Sequence, residues 1–326
     1  MTAIESRRPL QRGLTLIELV LAMTVAGILM AAAYGIFLVQ QKTYAVQDQL
    51  ADIQQNARVA MNLIARDLRM AGHGRPVSTV TIGGQNYDNA VAVDADGGGM
   101  TLLGCFGAPE GYLSKSAGIG ATDIYLVDSN QAAKFNNGDR GYVFIGGYDK
   151  GVIDKIQGTQ LTLKQGLRKR YPTTFLTAMV GPGATRITVD GTTDIQTGDI
   201  LRLGDELLYV TGMTPNTIDF DTNPTTPFND PLKTDYQKNT LVNPIPVYRT
   251  QALRYDLEAD GTITREDLSG GGKQPLAENI QTLTISPQVA NNPTYQIVLT
   301  ARTDIPDDSG RRLSRTYRFT VTPRNF

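Results

Sequence analysis

Few residues in this chain of 326 combine the type and the spacing that chemistry requires, and the most unusual is an acid. Glu18 interrupts an otherwise uncharged run, "LTLIELVLAMTVAGILMAAAYGIFLV", from Leu14 to Val39. A carboxylate costs about 2.5–3.5 kcal/mol at the centre of a membrane helix and less near an end, so it calls for a partner. A cut after Gly13 would supply one. The new α-amino group on Leu14 would lie four residues before Glu18, about 6 Å away on one helix face.

Other candidates have ordinary explanations beside the chemical one. Asp256, Glu258 and Asp260, with Gly261, Thr262, Thr264 and Asp267, follow the spacing of an EF-hand calcium loop, but Asp267 stands where that loop has a bidentate Glu. The flanks alternate like strands, so a hairpin turning at Ala259, Asp260 and Gly261 accounts for the same residues. "LSGGGKQP" lacks a phosphate loop's first glycine, where Asp267 stands, and Gln274 follows Lys273. "LRKRYP" groups Arg168, Lys169, Arg170 and Tyr171, which could grip a phosphate backbone and stack a base, or form an exposed hairpin face. With a net charge of −1 the chain has no global attraction for nucleic acid, and none is expected as a partner. His73 and Cys105 are the single histidine and cysteine, which excludes an internal disulfide and a Cys/His zinc site. His73 is expected to cap the last carbonyls of a helix.

These residues need elements to hold them. At the helical rise, the roughly 26 residues from Leu14 to Val39 reach about 39 Å, enough to cross a bilayer. Arg7, Arg8 and Arg12 precede that segment, which keeps the first residues in the cytoplasm and exports the remainder. A secretory signal places its small cleavage residue after the apolar core, whereas Gly13 comes before it. Removing residues 1–13, which carry Arg7, Arg8, Arg12 and Glu5, would leave −1 − 2 = −3. Beyond the span, Val46, Leu50, Ile53, Ala57, Ala60, Ile64 and Leu68 recur at helical steps, and Gly72 and Gly74 in "MAGHGRP" supply the stop. One helix over Leu14–Ala71, about 87 Å long, is expected, its outer half offering an apolar stripe to a sheet.

The rest reads as short strands and turns, consistent with 33 Gly and 16 Pro. "GATDIYLVDSNQAAKFNNGDRGYVFIGG" and "GATRITVDGTTDIQTGDILRLGDELLYVTG" repeat one pattern, so two small β units are expected in tandem over roughly Gly118 to Asp221. "TNPTTPFNDPLKTD" then reads as a long loop, and longer alternating strands return to the C-terminus. The expected fold class is α+β: a long N-terminal helix, half transmembrane and half amphipathic, on an antiparallel β-sheet head with an inserted β-rich region.

"RG" followed by "LTLIELVLAMTVAGIL" resembles the class III signal of type IV prepilins. The run "QQNARVAMNLIARDLRMAGHG" and the C-terminal strands, closing on Arg324 and Asn325, resemble PilW-type minor prepilins. That resemblance implies cleavage between Gly13 and Leu14 by a prepilin peptidase and N-methylation of Leu14. It implies that Glu18 neutralises a terminal amine during assembly. It further implies partners among minor and major pilins, the inner-membrane assembly platform and the lipid bilayer, with no catalysis and no cofactor. The chain would cross the bacterial inner membrane once with its head in the periplasm, and reach the cell surface in a pilus. The division expected is 1–13 leader, 14–74 helix, 75–117 first part of the head, 118–240 insertion and 241–326 C-terminal sheet. A J-like type II secretion pseudopilin and a membrane-anchored adhesin are the alternatives, with a membrane-anchored hydrolase ranked below them.

Overall fold

A computed structural model describes residues 15–76, 79–135, 141–226, 230–289, 292–307 and 309–325. Helix α1 spans Leu16–Met70, 55 residues and about 83 Å at the usual rise. Thr15 starts it: the Thr15 hydroxyl accepts from the Glu18 N–H, and the Glu18 side chain accepts from the Thr15 N–H, a reciprocal capping box. Ala71 ends it, and Gly72 follows at φ 84°, the left-handed conformation that favours glycine after a helix. A side chain at Gly72 would also strike the carbonyl of Asn325, because the chain's C-terminal stretch returns here and the Arg324 N–H donates to the Arg69 carbonyl at 3.1 Å.

The stripe expected from the sequence is the buried face. Ile53, Ala57, Ala60, Ile64 and Leu68 are sealed under two sheets, with Val46 buried and Leu50 partly so. One sheet has five antiparallel strands in the order Gly272–Ala277, Ile263–Asp267, Gln251–Leu257, Gly99–Gly104 and Val91–Val93. The other is the meander Ile280–Val289, Asn292–Arg302 and Ser314–Val321. Each fully buried Ile or Leu of the stripe contributes about 1.5–3 kcal/mol relative to exposure, which fixes the outer half of α1 to the head. The fold is therefore the α+β arrangement that the residue pattern predicts.

Between Gly99–Gly104 and Gln251–Leu257 the chain makes two β units with one topology. In the first, Asp123–Tyr125 pairs with Gln160–Leu163, which pairs with Asp149–Gln157, which pairs with Tyr142–Ile145. In the second, Arg186–Thr188, Thr217–Asp221, Glu206–Thr214 and Ile200–Leu203 follow the same order. Both long strands carry a register shift at the matching place, between Ile153 and Lys155 and between Val210 and Gly212. Each unit has its own apolar core. The pairings of the two units run from Gly111, which pairs with Val247, to Arg249. The described residues of "TNPTTPFNDPLKTD" lack regular structure, but the stretch is anchored, since Leu232 is buried and the adjoining Tyr236 packs against the second core.

Candidate functional site: the N-terminal helix and its head

None of the described apolar cores includes a residue from the first half of α1. Residues 16–43 are exposed throughout, including Leu16, Ile17, Ile28, Leu29, Ile36 and Phe37, and the most apolar window has a mean hydropathy of 2.3. The segment is long and apolar enough to cross a membrane. Its threonine hydroxyls are satisfied locally, which lowers the cost of carrying them into lipid: Thr24 donates to the Val20 and Leu21 carbonyls and Thr43 to the Val39 carbonyl. The first firm anchor is Val46, and the Gln49 side chain then accepts from the Ile305 N–H at 2.9 Å.

Glu18 stands at the free tip. One carboxylate oxygen accepts from both the N–H and the hydroxyl of Thr15 at 3.0 Å, so the acid is turned back toward the start of the helix. Gly13 and Leu14, the expected cleavage and methylation residues, lie outside the described residues. The sequence reading overlooked Thr15, although "TLIE" carries the Thr-x-x-Glu signature of a capping box before an apolar run.

At the opposite end of α1 a buried acid fixes the head. Asp67 is 1% exposed; its carboxylate accepts from the Tyr255 hydroxyl at 2.6 Å and from the Arg265 guanidinium at 3.0 Å, with Arg66 on the other oxygen. Burial first, and then the Asp67 charge, hold the Tyr255 phenol protonated far above its ordinary range. No sequence signal singled out this trio, because its members are 188 and 198 residues apart along the chain.

The remaining candidates resolve into structure. Residues 258–262 form the turn of a hairpin, with the Glu258 N–H donating to the Thr262 carbonyl. Asp256 pairs with Arg254, Glu258 with Lys273 and Thr264, and Asp260 accepts from the Thr262 N–H, so the three acids face different partners. Among the described residues no group of three or more His, Cys, Asp or Glu could hold a metal. "LRKRYP" is exposed only in part: Arg168 and Lys169 are exposed, but Tyr171 is buried and its hydroxyl donates to Asp149 at 2.9 Å, while Arg170 pairs with Asp199 of the second unit. Tyr171 is thus unavailable to stack a base. The His73 ring lies edge-on to Phe144 with centroids 4.9 Å apart; the cap on the Met70 carbonyl is its backbone N–H, and burial lowers the pKa of the imidazole. Cys105 is buried beside Thr250, and burial pushes its thiol up to about 12.

A cleft of about 290 Å³ lies at the seam of the two β units, lined by Ser114, Ser116, Thr173, Thr174 and Asp190 among others. Its hydroxyls are largely spent within the protein: Ser114 on the Tyr125 carbonyl, Ser116 on the Thr173 carbonyl and Thr174 on Asp190.

Residues 8–34 match the family model described as the prokaryotic N-terminal methylation motif. No curated protein and no solved structure matches the chain. The motif covers Gly13, Leu14 and Glu18, and it ends within the free half of α1.

Proposed function

We propose that this chain, a prepilin of the type IV pilin/pseudopilin superfamily, is a non-catalytic minor pilin of the PilW type, acting in type IV pilus assembly at the initiation or tip complex. In this reading a prepilin peptidase cuts between Gly13 and Leu14, Leu14 is N-methylated, and α1 holds the subunit in the inner membrane with its head in the periplasm. The observation that carries the reading is the free apolar half of α1 led by a methylation motif and continuous with the helix that fixes the head. A helix so exposed needs lipid or other apolar helices around it. Glu18 tells an incoming helix where to stop, because the carboxylate at the tip is neutralised by a terminal amine. The two β units add two apolar cores to the bulk of the head, which favours a position at the end of a filament over one inside a packed shaft. They form an insertion within the pilin head.

The test uses two substitutions in the native host. Glu18→Ala is expected to leave the chain processed and membrane-inserted but missing from sheared pili, with pilus number reduced. Glu18→Gln keeps an acceptor for the Thr15 N–H without the charge. It should fail like Glu18→Ala if charge pairing guides assembly. Normal piliation in both variants would overturn the proposal, and a defect in protein secretion with intact pili would assign the chain to a type II secretion pseudopilus.

A further inference from the structure

The two β units present the same face to different surroundings. In the first unit Val143 and Ile145 point into the unit's core, while Tyr142 and Phe144 leave the opposite face of that strand. That outer face is covered by the turn that follows α1 and by neighbouring strands. Phe144 sits against His73 and Gly74, the Tyr142 hydroxyl accepts from the Thr81 N–H at 3.0 Å, and Tyr142 and Val152 close over Val80, Ile82, Leu103 and Ala252. In the second unit Leu201 and Leu203 point inward at the matching positions, and Ile200 and Arg202 face out. The register sets Tyr209 opposite Ile200 and Leu207 opposite Arg202 on that face. Among the described residues nothing covers it: Ile200 is 54% exposed and Leu207 46%.

We propose that this outer face of the second unit docks the head of a different prepilin-type subunit, over the turn that follows that subunit's N-terminal helix and the strands beside it. The proposal rests on the filament reading above. The first unit supplies the precedent, since its equivalent face already binds such a surface within this chain. A second copy of this chain could not offer the surface, because its own first unit covers it. The substitution pattern fits the occupant: Arg202 replaces Phe144, and a helix C-terminus leaves carbonyls that a guanidinium satisfies. Arg202 now donates to the Gly204 carbonyl and reaches Asp205 at 3.4 Å, both at an exposed edge where they can be exchanged. Ile200 and Leu207 would supply the apolar contact around it.

The test places a photo-crosslinking benzophenone amino acid at Leu207 of the full-length chain in its native host, with Lys155, exposed on the first unit, as the control position. The expected product is an adduct with another chain bearing the N-terminal methylation motif, mapped to the turn that follows that chain's helix or the strands beside it. Adding Ile200→Glu, an exposed position whose change should leave unfolding unaltered, should cut the yield about 10-fold or more by burying an unpaired charge in the contact. An adduct with a second copy, an adduct with a chain lacking the motif, or a yield no higher than at Lys155 would overturn the docking proposal. Failure of the filament reading is recognised separately, by a chain that keeps residues 1–13 and is absent from sheared pili.

Discussion

A carboxylate sealed under a sheet has to be matched, and Asp67 is matched by Tyr255 and Arg265 on the strands that cover it. Removing the acid leaves a partly buried cation and a buried phenol without their partner, so Asp67→Ala is expected to cost about 3 kcal/mol, and Asp67→Asn, which keeps an acceptor, about 1–2 kcal/mol. Denaturant unfolding in detergent, followed by near-ultraviolet dichroism of the tyrosines, would check both; equal midpoints for all three proteins would contradict the assignment. Cys105 gives a prediction in pH. Its thiol is pushed from 9.0 up to about 12 in the folded chain. At pH 8 the folded thiolate fraction is about 10⁻⁴ against about 10⁻¹ unfolded, so a thiol-selective disulfide reagent should label the folded chain about 10³-fold more slowly. The sign of the linkage follows: above pH 9 the unfolded chain holds fewer protons than the folded one. The thiol's contribution to stability is therefore intact below pH 9 and lost as pH rises toward about 12.

Among the elements, the two β units repeat a latch as well as a topology. Asp149 opens the long strand of the first unit and accepts from the Arg168 and Lys169 N–H groups and the Tyr171 hydroxyl. Glu206 opens the long strand of the second and accepts from the Lys233 and Thr234 N–H groups and the Tyr236 hydroxyl. Gly146 and Gly204 lie under the two tyrosine rings at φ 56° and 58°, where a side chain would collide with the ring. Asp149 is 5% exposed and Glu206 more accessible, so Asp149→Ala should cost the more, about 2–3 kcal/mol against about 1 kcal/mol. Hydrogen exchange would read the loss in each loop, 168–171 or 233–236, with the other unit unchanged; equal loss in both loops from either variant would mean that the units are not separate latches. The repeat was legible because its strand residues and Gly-Asp pairs recur in order. Its extent was not, because Tyr171 and Tyr236 sit in stretches rich in charge, Pro, Asn and Thr that carry no strand periodicity and are ordered only by contacts made after folding.

At the scale of the whole molecule, α1 joins two environments. Its apolar run and its later stripe obey simple periodicity, so the helix, its buried face and its glycine stop could be read from Leu16, Ile53, Leu68 and Gly72 without any tertiary knowledge. The Asp67 trio and the return of Asn325 onto the helix end could not, since they depend on contacts between distant parts of the chain. Glu18 lies between these cases: its oddity was plain in the sequence, whereas its hydrogen bonds with Thr15 appeared only with the helix in place. The central claim is that the chain is processed and then built into a filament through the free half of α1. The most direct measurement is the mass of the N-terminal peptide from membrane and sheared-pilus fractions. A peptide beginning at Leu14 and heavier by one methyl group, present in both fractions, is the predicted result; a peptide that retains Met1 to Gly13, with none in the sheared fraction, would contradict it.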